Sequence, residues 1–261
     1  HRRCGVIRFN DLHHPATATR TKLKTTMKTP FSLLLASFLC LTSLGSHASD
    51  IAERIKPCEA CHGNQGRAGP DGYYPRLAGK PASYLYNQME NFSQGTRRYT
   101  MMRRMMEPLS PQYQHEIADY FASLQVPYLP PSVKTTAPST AQMMRGKQLA
   151  LQGDSSLNIP ACNSCHGDKL MGNSVNVPSL LGMPAAYLGA QLSAWSQGDR
   201  TTIAPDCMAD IAKRLTADDA AAVTGWLSAQ PIPQKTTAFK TARTESHVRC
   251  GSAPELHGAM K

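Results

Sequence analysis

The chain has 261 residues, which allows two small domains. Its formal net charge of +10 invites a nucleic acid or an anionic membrane as partner. However, seven of the 28 basic residues and only one of the 18 acidic ones lie before residue 49, leaving the rest at about +4. That distribution argues against nucleic-acid binding.

His1 to Thr26 starts without methionine, shows no apolar periodicity and reads as upstream or non-native sequence. From Met27 the pattern is that of an export signal covering 27–48. Lys28 is followed by an apolar stretch from Phe31 to Leu44, and Ser46-His47-Ala48 offers a cleavage site near Ala48. A membrane anchor is the alternative, but the stretch is shorter than the roughly 18 apolar residues a spanning helix needs. Ser32, Ser37, Thr42 and Ser43 dilute it, and Cys40 lacks the small residues expected before a lipidated cysteine. No later stretch is apolar enough to span a bilayer, so a soluble mature protein is expected in the periplasm.

The first domain is expected over 49–128. Ser49 can cap a short helix with Ile51 and Ile55 at i, i+4, which runs into Pro57 and Cys58-Glu59-Ala60-Cys61-His62. C-x-x-C-H is the attachment signature of a c-type haem, in which two thiols one helical turn apart add to the porphyrin and the next imidazole ligates the iron. Zinc ribbons and thiol oxidoreductases also use C-x-x-C. A ribbon, however, directs both cysteine pairs at one metal and needs no histidine after each. A Gly/Pro/Asn loop follows from Gly63 to Lys80. A second helix then opens at Pro81 with Leu85, Met89 and Phe92 on one face, and a last helix opens at Ser110-Pro111 with Tyr113, Ile117, Tyr120, Phe121 and Leu124.

Pro127, Pro130, Pro131 and Pro138 mark a semi-rigid linker, bounded at 129–140. The second domain, 141–230, repeats the first with Cys162-Asn163-Ser164-Cys165-His166, a helix from Pro184 with Leu188, Leu192 and Trp195, and a last helix from Thr216 with Asp219 as an acidic capping residue and Val223, Trp226 and Leu227. The period is about 104 residues: Cys58 falls on Cys162, Pro75 on Pro178, Tyr84 on Tyr187, Gln88 on Gln191 and Gly95 on Gly198. Each half thus reads as three helices around a loop. At under 100 residues each is marginal as a protein core alone, and a covalent porphyrin would supply the missing apolar mass. The part from 231 to 261 lacks periodicity and reads as a disordered tail.

A histidine-bound iron needs a sixth ligand or keeps an open site, and that choice separates carrier from enzyme. Met208 is the only methionine in the loop before the last helix of the second half, seven residues ahead of Leu215. The same count back from Leu109 gives Met102, and the two methionines follow His62 and His166 by 40 and 42 residues. Met101 is the next choice, and Met105 and Met106 read as gap-filling hydrophobes. Cys207 is a competing thiolate beside a methionine in register. In an oxidising compartment Cys207 and Cys250 could pair, but Cys250 lies in the tail, so no disulfide is expected.

These pieces resemble the di-haem class I cytochromes c, specifically the cytochrome c4 family. They are Cys-His-Gly twice, Tyr-Pro-x-Leu-Ala-Gly at Tyr74, Tyr-Leu-x-x-Gln, Gly-Thr-Arg and Gly-Asp-Arg, and Ile-Pro-Ala-Cys before the second motif, and they run from about Ile51 to Leu227. The resemblance implies an all-α fold of two tandem class I cytochrome c domains, each a few helices wrapped around a covalently bound haem, with the haem edges close. The two motifs themselves assign Cys58, Cys61, Cys162 and Cys165 to two haem c groups with His62 and His166 as iron ligands, and the spacing favours Met102 and Met208 as the sixth ligands. The resemblance implies that the carbonyls of Pro75 and Pro178 accept from the other nitrogen of His62 and His166. It also implies a periplasmic electron carrier that passes electrons towards terminal oxidases. The methionine run at 101–106 and the long tail depart from the family pattern.

His115 is expected to be solvated. Arg97 and Arg200, equivalent in the two halves, suit a structural role such as pairing with a haem propionate, whereas Arg98, Arg103 and Arg104 are either a basic docking face or a solvated cluster. The expected function is shuttling of electrons between respiratory donors and a terminal oxidase or other acceptor, with no enzymatic activity. The alternatives are a cytochrome subunit of a dehydrogenase or oxidase complex, or a di-haem peroxidase with one open iron. Partners would be redox proteins, and peripheral membrane association stays open.

Overall fold

The computed structural model describes residues 50–69, 72–128, 138–233 and 248–257. The export signal, the residues before it and linker residues 129–137 lie outside the described residues, as does Ser49. The first helix, α1 (Ile51–Arg54), is instead capped by Asp50, whose carboxylate accepts from the Ala52 amide at 3.3 Å.

The described chain is helical, and its only β-type pairings are two isolated bridges. The first half carries α1, α2 (Lys56–His62), α3 (Ala82–Gln94), α4 (Thr100–Met106) and α5 (Pro111–Ser123). The second carries α6 (Thr140–Leu151), α7 (Cys162–His166), α8 (Ala185–Gln197), α9 (Cys207–Arg214) and α10 (Ala217–Ser228). Both halves lie in one compact unit, Ser49–Lys261.

Three differences from the sequence expectations matter. Each half has more than three helices among its described residues, because the methionine-bearing segments are helical rather than loops. Thr100–Met106 is made almost wholly of Met and Arg, good helix formers, while α9 gains an Asp206 cap accepting from the Ala209 amide and Lys213 and Arg214 in its last turn. Second, α6 starts at Thr140 inside the expected linker, where Ser139 and Gln142 form a reciprocal capping box. Third, the tail is not structureless throughout. Residues 248–257 pack on the second half, where Ala253 and Leu256 are buried and Cys250 is joined to Cys207 by a disulfide.

The two long central helices start one residue later than expected. Pro81 and Pro184 are extended, at ψ 137° and 143°, and stand as N-caps of α3 and α8. Both helices end on a left-handed glycine, Gly95 and Gly198, at φ 76° and 79°, where a side chain would be strained.

In the first half, Ile55, Leu85, Met89, Phe92, Ile117 and Phe121 form the core. Arg54 pairs with Glu116, and its carbonyl accepts from the Tyr113 hydroxyl at 3.0 Å, tying α1 to α5. In the second half, α6 crosses α10 so closely that a Cβ on Gly146 would meet the Ala222 carbonyl oxygen at 2.2 Å. Arg145 then bridges Asp154 and Asp219, each at 2.7 Å. The end of the first half is pinned by the buried Arg76, which donates to the carbonyls of Ala78, Val126 and Pro127 and stacks 4.0 Å over Tyr128.

Candidate haem sites

Each C-x-x-C-H motif folds as a short helix ended by a glycine at positive φ, Gly63 at 75° and Gly167 at 81°. The backbone then turns so that the histidine of the motif meets the Tyr-Pro or Val-Pro segment of its own half. His62 Nδ1 lies 2.8 Å from the Pro75 carbonyl oxygen, and His166 Nδ1 lies 2.8 Å from that of Pro178. Burial pushes both imidazoles below their ordinary pKa, only partly offset by the proline carbonyls. At neutral pH each ring is therefore uncharged, its Nδ1–H donates to the carbonyl, and the Nε2 lone pair is left to act as a ligand.

Burial also pushes the Cys58 thiol up, and the Cys162 thiol up to about 12. A disulfide-exchange site needs the opposite shift, so these cysteines are not built as reactive thiolates. Among the described residues no three His, Cys, Asp or Glu side chains converge, so the two cysteine pairs are not drawn onto one metal as in a zinc ribbon.

A mainly apolar cavity adjoins each motif. The first, of about 460 Å³, is lined by Cys58, Cys61 and His62 together with Leu85, Met89, Phe92 and all four methionines of α4. The helical spacing sorts those methionines. Met102 and Met106, at i and i+4, turn inward, half-buried and 3% exposed, whereas Met101 and Met105 are 57% and 37% exposed. The second cavity, of about 180 Å³, is lined by Cys162, Cys165 and His166 with Leu188, Leu192, Trp195 and Met208. Met208 is the second residue of α9 and is half-buried.

The two cavities share part of their walls, and there the repeat meets itself. Arg97 Nη1 donates to Gln88 of its own half at 2.9 Å, while its Nη2 crosses to Gln191 at 2.7 Å and Tyr187 at 3.3 Å. Arg200 mirrors it, with Nη1 on Gln191 at 2.9 Å and Nη2 on Gln88 at 2.8 Å and Tyr84 at 3.3 Å. An antiparallel bridge joins the same two arginines through the backbone. Their guanidiniums stack on Phe92 and Trp195, 4.5 and 3.7 Å from the ring centroids. Lys80 is buried beside them and lines both cavities, as do Tyr84, Gln88, Tyr187, Gln191 and Arg200.

This shared wall tests whether the residues fit a haem c. Lys80, Arg97 and Arg200 are all buried, yet none forms a salt bridge with a described residue. Trp195 Nε1, in the wall of the second cavity, is buried without an acceptor. Three buried cations and an orphaned donor at the polar end of two apolar cavities call for an anionic acceptor. A porphyrin carrying propionates has that polarity. The same cations act on Tyr84: burial pushes its hydroxyl up, but Arg200, Arg97 and Lys80 outweigh this and bring it down to about 8.

Sequence reasoning missed Lys80, whose signal was a lysine set between Gly79 and Pro81 where the other half has Met183. It also missed the disulfide. It noted Tyr84, Gln88 and their counterparts as repeat markers without giving them a role. His115 is exposed and stacks on Tyr86 at 3.6 Å. Arg98 and Arg103 lie 3.4 and 3.8 Å from Asp199 and Glu107, so two of the three arginines of the suggested docking face are partnered by carboxylates.

No protein-family model matches the chain. Among curated proteins it is 39% identical over 184 residues to a thiosulfate dehydrogenase electron acceptor of Thiomonas intermedia (strain K12), covering 70% of this chain and 83% of that one. It is 33% identical to a cytochrome c4 of Pseudomonas aeruginosa, covering 75% and 95%. Among solved structures, a cytochrome c4 of Acidithiobacillus ferrooxidans superposes with a TM-score of 0.58 at 28% identity, over 67% of this chain and 99% of that one. The chain belongs to the cytochrome c4 family and is a di-haem electron-transfer protein, with two covalently bound haems c in tandem class I cytochrome domains.

Proposed function

We propose that the chain is an exported, periplasmic electron carrier without enzymatic activity of its own. Cys58, Cys61, Cys162 and Cys165 hold the haems, His62 with Met102 and His166 with Met208 ligate the irons, and the signal peptide is removed near Ala48. When bound, each haem supplies a one-electron couple at its iron. The protein's part is to hold the ligands and keep the iron closed. The Pro75 and Pro178 carbonyls fix the imidazoles, and a methionine on the wall of each cavity is available to fill the sixth position.

The observation that carries this reading is the presence, in both cavities, of a buried neutral histidine and a methionine at the equivalent place in the repeat. A peroxidase needs one iron open to peroxide, and methionine in both halves supports two closed ones. The Cys207–Cys250 disulfide supports an oxidising compartment. Among the described residues no helix is long and apolar enough to cross a membrane.

A second reading is favoured by the name of the Thiomonas intermedia relative, an electron acceptor for thiosulfate dehydrogenase. In that reading the donor is a dehydrogenase of this kind, and electrons leave for a terminal oxidase or another acceptor. The test is to export the full chain, count its haems by mass, and mix the oxidised protein with a thiosulfate dehydrogenase and thiosulfate. Two added haems and rapid reduction of both are expected. No added haem would sink the carrier, and reduction only by other respiratory donors would remove this choice of donor.

A further inference from the structure

Residues 248–257 contribute to the lining of the second cavity and, among the described residues, not to that of the first. Cys250 is bonded to Cys207 across 43 residues of sequence, with the Cα atoms 4.9 Å apart, and Cys207 immediately precedes Met208 at the start of α9. Gly251 N donates to the Pro205 carbonyl at 2.9 Å. A Cβ on Gly251 would meet the Ala204 oxygen at 2.4 Å, so only glycine lets the segment run this close to the turn before α9.

The other end reaches the histidine side of the same cavity. Glu255 Oε1 accepts from Asn173 Nδ2 at 3.1 Å and from the Asn176 amide at 3.2 Å, and Oε2 accepts from Asn176 Nδ2 at 3.1 Å. Asn173, fully buried, accepts in turn from the amides of Val175, Asn176 and Val177. That turn leads into Pro178, whose carbonyl holds His166. Between the two ends, Ala253 and Leu256 are buried with Val177, Cys207 and Cys250, and Met208 and Cys165 pack against the cluster. Val248, Cys250, Ser252, Ala253 and Leu256 line the second cavity. In the first half, Met101 stands where Cys207 stands in the second, so no such tether can form there.

We propose that residues 248–257 are a disulfide-tethered strap that positions both iron ligands of the second site, Met208 through Cys207 and His166 through Glu255 and Asn173, and shuts that cavity against exogenous ligands. The strap makes the second iron the slower of the two to exchange its methionine. This rests on the reading of His166 and Met208 as ligands. Cys250 and Glu255 are positioning residues, because they act through Cys207 and Asn173.

The experiment uses the full, haem-loaded chain and imidazole as the probe ligand. In Cys250→Ser, imidazole should bind one ferric iron about tenfold faster than in the native protein, because opening of α9 is no longer coupled to the strap. The midpoint potential of that haem should shift, while the other haem, identified by its loss of methionine ligation in Met102→Ala, keeps its rate and potential. Glu255→Gln, which leaves the disulfide in place, should move the same iron in the same direction by less. Should Cys250→Ser fail to fold, opening the bond of the folded native protein with an external dithiol, blocking the two thiols with iodoacetamide and reoxidising the irons with ferricyanide tests the same point. Opening the bond passes two electrons and two protons to give two thiols and leaves the reagent as a cyclic disulfide. Unchanged imidazole uptake and potentials after opening the bond would overturn the strap, as would two alkylatable thiols at 207 and 250 in the exported native protein. Failure of the ligand reading would look different: Met208→Ala would leave both irons with native spectra.

Discussion

The two halves place the same residues in the same frame, yet they enclose cavities of about 460 and 180 Å³. The frame is what the repeat conserves between them: a C-x-x-C-H turn, a proline carbonyl for the histidine, a Tyr-Leu-x-x-Gln helix and an arginine that crosses to the other half. The second cavity also has a wall from outside the repeat. Val248, Cys250, Ser252, Ala253 and Leu256 line it on the methionine side, and no residue of 248–257 lines the first cavity. Duplication therefore accounts for the paired histidine and methionine positions, while the unrepeated strap adds lining to the second cavity alone.

The sharpest way to break the comparison is to empty one core. Phe121→Ala removes a ring that is 1% exposed in the first half and should destabilise that half by about 3–5 kcal/mol, read by denaturant unfolding, with the second half's transition left in place. Cys250→Ser should act on the other half. Freeing a 43-residue loop lowers stability by about 4 kcal/mol in the chain-entropy account, and the first half should unfold as before. Arg97→Met removes hydrogen bonds to Gln88, Tyr187 and Gln191. It should weaken the contact between the halves by about 2 kcal/mol, seen as a lower unfolding midpoint in both halves.

The smallest effect is confined to acid. Asp154 is drawn down to about 2 by Ser156 and Arg145, and Asp219 is held below the usual carboxylate range by Arg145. Carboxylates with depressed folded pKa values contribute stability above their unfolded value of about 4, and lose it as the pH falls towards about 2. Native second-half stability should therefore decline across that window more steeply than in Arg145→Met, with no difference between the two proteins in the first half.

What the sequence disclosed and what it hid follow from the range of the interactions. The haem motifs, the Ser110 and Thr216 caps and the apolar faces of α3 and α8 depend on neighbours within two turns, so spacing alone exposes them. Thr100–Met106 was harder, because a seven-residue helix offers too few turns for a period to register, and Met102 and Met106 share their inward face only once the helix is known. The disulfide carries no local signal at all. Cys250 meets Cys207 only because the tail returns to α9, and a tail poor in apolar period gives no hint of that return. Lys80, Arg97 and Arg200 gather only when the halves close on each other, so a buried cationic wall is invisible in either half alone.

The central claim is that each half closes its own iron with its own methionine. The most direct measurement is the ferric absorption and paramagnetic resonance spectrum of the haem-loaded native chain beside Met102→Ala and Met208→Ala. Two low-spin irons in the native chain, and loss of methionine ligation at one iron, a different one, in each variant, is the expected result. A native spectrum with half its haem high-spin, or a Met208→Ala protein with both irons unchanged, would contradict it.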